Sequence, residues 1–136
     1  MGALENTDAM AEETALIVFA HGARDPEWAL PLRHLTELLA QRLAPATSVR
    51  LAFLEFMKPS LPDCIAELAE SGVGQIVVFP AFLARGGHLK TDLPRLVNEA
   101  QITNPGVRIR ILPSLGENEE LLVAISDWLA VALDRR

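Results

Sequence analysis

Apolar and polar positions fall into alternating blocks along this chain, and the blocks switch between a strand-like and a helical period. Thr14 to Ala20 is an unbroken apolar run, as expected of a parallel strand covered on both faces. Asp25-Pro26 predicts a helix start, with aspartate as cap and proline at the first helical position. Leu32, Leu35, Leu39 and Leu43 then keep helical spacing to about Pro45. A second strand is predicted from about Ser48 to Phe56. Ser60-Leu-Pro-Asp63 reads as the cap of a helix that Ser71-Gly72 closes. Gln75 to Ala81 is the third predicted strand, and Thr91-Asp92 with Pro94 predicts a third helix from Asp92 to about Ile102. After the Asn104-Pro-Gly106 turn, Val107 to Leu112 is the fourth strand and Glu117 to Leu133 the last helix.

Four β–α units in series imply an α/β fold: a four-stranded parallel sheet with helices on both faces, joined by right-handed crossovers. The expected strand order is 2-1-3-4, of the flavodoxin-like kind, with its switch point between the first and third strands. Residues 1–13 are small, polar and acidic and predict a loose N-terminal tail, leaving 14–136 as one domain. They lack the basic and apolar regions of a Sec-type signal, so a cytoplasmic location is the default expectation.

Composition narrows the function classes. The chain has 136 residues, 50% of them hydrophobic and 22% charged, enough for one real core. No apolar run reaches the roughly 18–20 residues needed to span a bilayer. A formal net charge of −6 argues against nucleic acid or an anionic membrane as the main partner. The single Cys64 cannot form an intramolecular disulfide, and its helical setting reads as a packed thiol rather than a nucleophile.

The candidate chemistry collects at three strand ends, where open α/β sheets bind ligands. His21 follows the first strand in Phe19-Ala-His-Gly-Ala-Arg-Asp-Pro26. Glu55 ends the second in Leu51-Ala-Phe-Leu-Glu-Phe56. His88 lies beyond the third, on a loop that Gly86 and Gly87 keep adaptable. Two imidazoles and a carboxylate on neighbouring strand ends suit a divalent metal. Each residue also has a plainer reading: His88 as an exposed loop histidine, His21 as one packed at a strand terminus, Glu55 in a salt bridge to Arg24 or Lys58. Arg24, Arg85 and Lys90, with Lys58 as a further candidate, form a local basic rim able to seat a polycarboxylate. His34 reads as a helix-surface residue, and Trp28 and Trp128 as packing residues, with Trp28 near enough to His21 to line a ligand site. No GxGxxG or Walker pattern follows His21, no serine occupies a strand-to-helix elbow, and zinc-finger spacing is absent.

Together these residues resemble the class II tetrapyrrole chelatases, specifically the small CbiX/SirB-type sirohydrochlorin chelatases, from about Leu16 to the final helix. His21 to Pro26 matches His-Gly-x-Arg-Asp-Pro, with Ala23 where the family often has serine. Phe53 to Glu55 and Pro59 to Pro62 match Phe-Leu-Glu and Pro-Ser-Leu-Pro. Pro80 to Leu83, Gly86 to His88 and Asp92 to Pro94 match Pro-x-Phe-Leu, Gly-Gly-His and Asp-x-Pro. The resemblance implies ATP-independent insertion of Co²⁺ or Fe²⁺, with Ni²⁺ a further candidate, into sirohydrochlorin, in cobalamin or sirohaem biosynthesis. It places His21, Glu55 and His88 at the metal and Arg24, Arg85, Gly86, Gly87 and Lys90 around the macrocycle. Because longer members carry two such units, it also implies a homodimer with the cleft across a two-fold interface. Two other readings stand beside it: a non-catalytic metal or tetrapyrrole carrier of the same fold, and a flavodoxin-like module for a nucleotide or phosphate.

Overall fold

The computed structural model describes residues 13–84 and 86–135; Arg85 and the side chain of His88 lie outside the described set. So does the predicted tail as far as residue 12, while Glu13 already belongs to the first strand.

Strands β1 (Glu13–Ala20), β2 (Thr47–Phe53), β3 (Val73–Pro80) and β4 (Arg108–Ile111) form one sheet in the order β2-β1-β3-β4. All three pairings are parallel, with Val18 beside Leu51 on one side and Phe79 on the other. This is the expected 2-1-3-4 order. β1 leads left to β2, and the next crossover returns right to β3, which leaves a crevice at the carboxyl end between them.

Helix α1 (Leu30–Leu43) is preceded by a 3-10 turn, Pro26–Ala29. The Asp25 carboxylate caps that turn, accepting from the Glu27 N–H at 3.0 Å. Ser60 caps α2 (Leu61–Glu70) by accepting from the Asp63 N–H at 3.2 Å. Leu61, Cys64, Ile65 and Leu68 recur at helical spacing and are all buried by α2 against the sheet. Cys64 is thus the packed thiol its sequence setting predicts, and its burial pushes the thiol pKa up to about 11.

Helix α3 (Gly87–Thr103) begins five residues before the predicted Asp92 start. Gly86 is its N-cap, the Lys90 N–H donates to the Gly86 carbonyl at 3.2 Å, and the Thr91 hydroxyl donates to the Gly87 carbonyl at 3.5 Å. Pro94 therefore sits inside the helix rather than in its first turn. Lacking an N–H, it cannot return the bond that the Lys90 carbonyl would otherwise accept. Helix α4 (Glu119–Asp134) follows a 3-10 turn, Leu115–Glu117, with Asn118 as its cap.

The main core lies between the sheet and α2/α3, around Ile17, Phe19, Ile65, Ile76, Val78 and Leu93. A much smaller cluster, Ala20, Ala29 and Phe53, lies on the α1 side.

Candidate functional site: a His–Glu pair at the switch point

Beyond the last ladder bond of β1 and β2, the two chains stay side by side for two more residues. The Leu54 N–H donates to the Ala20 carbonyl at 2.8 Å, and the Glu55 N–H to the His21 carbonyl at 3.0 Å. This continuation sets the two side chains next to each other, with His21 Nε2 3.3 Å from Glu55 Oε2. Close approach depends on Gly22, whose φ is +94°. A Cβ there would lie 1.9 Å from the Glu55 carbonyl oxygen, so no other residue fits this backbone.

The second strand is predicted to run to about Phe56, with Glu55 near its end. The strand instead ends at Phe53, the chain turns through Phe56 at φ +69°, and the Glu55 side chain is 49% exposed. Its ion-pair partner is His21, not Arg24 or Lys58. Arg24 instead stacks its guanidinium 4.9 Å from the centre of the Phe56 ring. An exposed pair of this kind contributes only about 0–1 kcal/mol to stability, so folding alone gives little reason for it.

The pair opens into a cleft of about 460 Å³. Leu54, Phe82, Ala84, Gly86, Leu89 and Asp92 complete its lining. Phe82 meets the His21 imidazole edge-on, with centroids 6.4 Å apart and planes at 83°. The loop bearing Phe82 is fixed from behind: the Gly116 N–H donates to the Phe82 carbonyl at 3.1 Å, and a Cβ on Gly116 would strike the Leu83 carbonyl oxygen.

His21 Nδ1 lies 3.1 Å from the Gly22 carbonyl, which can only accept, so this contact uses Nδ1–H. In that tautomer Nε2 carries its lone pair beside the Glu55 carboxylate, and the two groups offer a divalent cation one nitrogen and one oxygen. With Nε2 protonated, the same pair is a charge-assisted hydrogen bond. The two groups thus converge on one place, whose donor atoms suit a divalent cation.

Gly86 lines this cleft and Gly87 and His88 follow it at the start of α3, immediately before the cleft-lining Leu89. His88 is thus on a helix's first turn, not on the flexible loop that its glycines suggested. Among the described residues no three His, Cys, Asp or Glu side chains gather closely enough to hold a metal. Lys90, Lys58 and Arg24 are exposed and stand outside the cleft lining, and Arg85 lies outside the described residues. Trp28 is 40% exposed and does not line the cleft, and His34 pairs at the surface with Glu37 at 3.5 Å. Phe82, Leu89 and Asp92 were missed as site residues. The last two are one helical turn apart, a relation visible in sequence only if α3 is started at Gly87.

The family model for CbiX matches residues 15–131. The chain belongs to the CbiX family. A sirohydrochlorin cobaltochelatase of Saccharolobus islandicus is 33% identical over 112 residues, 78% of this chain and 85% of that protein. One of Methanopyrus kandleri is 32% identical over 83 residues, 61% of this chain but 57% of that protein's length. Among solved structures, a putative cobalamin-biosynthesis CbiX protein of Marinobacter aquaeolei superposes with a TM-score of 0.78 at 31% identity, over 90% of this chain and 99% of that one. SirB of Bacillus subtilis subspecies spizizenii, in complex with cobalt, superposes with a TM-score of 0.68 at 23% identity. This CbiX-family chain spans half the length of that SirB, with 87% of its own residues covered, and at such identity the likeness is one of fold.

Proposed function

We propose that this CbiX-family protein is a chelatase that inserts Co²⁺ or Fe²⁺ into sirohydrochlorin without ATP, working as a homodimer. The observation that carries the reading is the His21–Glu55 pair, 3.3 Å apart and half-exposed in a cleft at the sheet's switch point. Its relatives named sirohydrochlorin cobaltochelatases support the substrate.

Insertion forms four metal–nitrogen bonds to the macrocycle and releases two pyrrole protons for each metal taken up. A site for this step must hold a divalent ion weakly enough to give it up. An imidazole and a carboxylate, with His88 as third ligand, meet that need better than thiolates, which would bind first-row metals tightly. His21, Glu55 and His88 are the proposed metal residues, and His88, at the cleft rim, the proposed first proton acceptor. The acetate and propionate arms are assigned to Arg24, Arg85 and Lys90, together with the Gly86–Gly87 start of α3, since a helix N-terminus favours anions.

The test is an anaerobic absorbance time course of sirohydrochlorin with Co²⁺, Fe²⁺ or Ni²⁺, against a no-protein control. Wild type should accelerate insertion, and His21→Ala and His88→Ala should each lower the rate by roughly a hundredfold or more. A spectrum that shifts on binding, with insertion no faster than the control, would identify a carrier. Full activity in His88→Ala would remove that residue from the mechanism.

A further inference from the structure

Helix α4 carries one acidic stripe, Glu120, Asp127 and Asp134 at seven-residue spacing, is apolar over most of the rest, and is not buried by anything in the described chain. Leu122, Ile125, Trp128, Leu129, Val131 and Leu133 are between 38% and 74% exposed, and none of its residues is buried. A helix with so wide an apolar face needs a surface to bury it against. Leu121 and Val123 are exposed as well, so the apolar residues left open form a continuous patch of the kind that marks an interaction surface rather than scattered surface residues.

A matching vacancy lies on the α1 side of the sheet. Parallel register puts Leu16, Val77 and Phe79 on that face, and all three are only partly buried although they stand on central strands. At its β4 edge the same face carries Arg108 and Arg110, both exposed, with Arg110 beside Val77. The charged residues of α4 from Glu119 to Asp134 are all acidic: Glu119, Glu120, Asp127 and Asp134.

The joint between β4 and α4 is tightly built. Ser114 is fully buried, and its hydroxyl and N–H both donate to the Glu117 carboxylate, at 2.8 and 3.0 Å. Gly116 is locked against the Phe82–Leu83 backbone. Asn118 then caps α4 by accepting from the Leu121 N–H at 3.1 Å. The hydrogen bonds at this joint fix the direction in which α4 leaves its own sheet.

We propose that a second copy of this chain covers both surfaces by exchange: α4 of each protomer lies across the α1-side face of the other copy's β3 and β4. Its apolar stripe meets Val77 and Phe79, and its acidic residues meet the arginines of β4. The inference extends the homodimer of the proposed function and is independent of the chemistry at the cleft.

The experiment uses the full chain in a Cys64→Ala background, with Val77→Cys in one variant and Ile125→Cys in another. The two are co-expressed under different affinity tags, checked for folding by circular dichroism, and treated with a short bis-maleimide. Exchange predicts a two-chain mass by light scattering and a crosslinked species bearing both tags. A two-chain mass without that species overturns the exchange but leaves the homodimer standing. A one-chain mass at all concentrations overturns both. A crosslink within one chain, in the Val77→Cys/Ile125→Cys double variant, would show that α4 folds back on its own sheet. If Val77→Cys fails to fold, Phe79→Cys replaces it on the same face. Metal insertion is assayed separately, so failure of the chelatase reading stays distinct from failure of this one.

Discussion

On the α2/α3 side of the sheet, Ile17, Phe19, Ile65, Ile76 and Leu93 are fully or almost fully buried, and the cluster runs on to Val107. On the α1 side the buried residues are Val18, Ala20, Ala29 and Phe53, while Leu16, Leu32, Leu51, Met57, Val77 and Phe79 are only partly covered. Strand composition does not explain the contrast, because Leu16, Val77 and Phe79 are as apolar as Ala15, Ile76 and Val78. Helix placement does. Helix α2 buries four side chains, whereas α1 and α4 bury none. A strand can present apolar residues to both faces, but a face becomes a core only when a helix lies on it. The sheet therefore has one finished layer and one that awaits a cover.

The largest expected effect comes from the finished side. Ile65→Ala removes a side chain with no exposed area and should cost about 2–5 kcal/mol, read as a lower denaturant midpoint with an unchanged slope. Leu32→Ala, on the half-covered side, should cost about 1 kcal/mol or less when measured in dilute protein. Equal costs would break the comparison and show that the α1 face is already packed in solution.

Gly22→Ala probes the rim where the two layers meet. Its φ of +94° and the 1.9 Å approach of a Cβ to the Glu55 carbonyl demand that the two chain ends separate. We expect a loss of about 2 kcal/mol or more, together with loss of metal insertion as Glu55 moves from His21. Wild-type insertion by this variant would mean that the pairing of His21 with Glu55 is dispensable.

How far such features were legible depended on what the chain encodes locally. The apolar runs Thr14–Ala20 and Gln75–Phe79 name central strands by themselves. Crossover handedness then leaves few orders, so 2-1-3-4 followed. His21 and Glu55 were legible as neighbours because each ends an adjacent strand. The exposure of Glu55 was not, because it rests on a turn past Phe53 with Phe56 in a left-handed conformation. The start of α3 was misread because Thr91-Asp92 with Pro94 imitates a cap more strongly than Gly86 does, and a helix can begin at a glycine when the Lys90 N–H closes its first turn on Gly86. The isolation of α4 left no trace either, since periodicity shows that Leu122, Ile125 and Leu129 seek cover but not which surface provides it.

The narrowest prediction, confined to alkaline pH, uses the one thiol as a gauge of the finished layer. Burial raises the Cys64 pKa from 9.0 to about 11; Glu67 pushes in the same direction and Arg50 opposes both. The folded state therefore holds the thiol proton more tightly than the unfolded chain does. That preference stabilises the fold fully below about pH 9 and is lost as pH rises through about 11. The window is open to measurement because the chain has no tyrosine and its lysines, Lys58 and Lys90, are both exposed. Melting temperature should fall more steeply between pH 9 and 11 for wild type than for Cys64→Val, which keeps the volume without the ionisation. Parallel curves would mean that the thiolate is tolerated in place, and with it that water reaches the α2 side of the sheet as readily as the open α1 side.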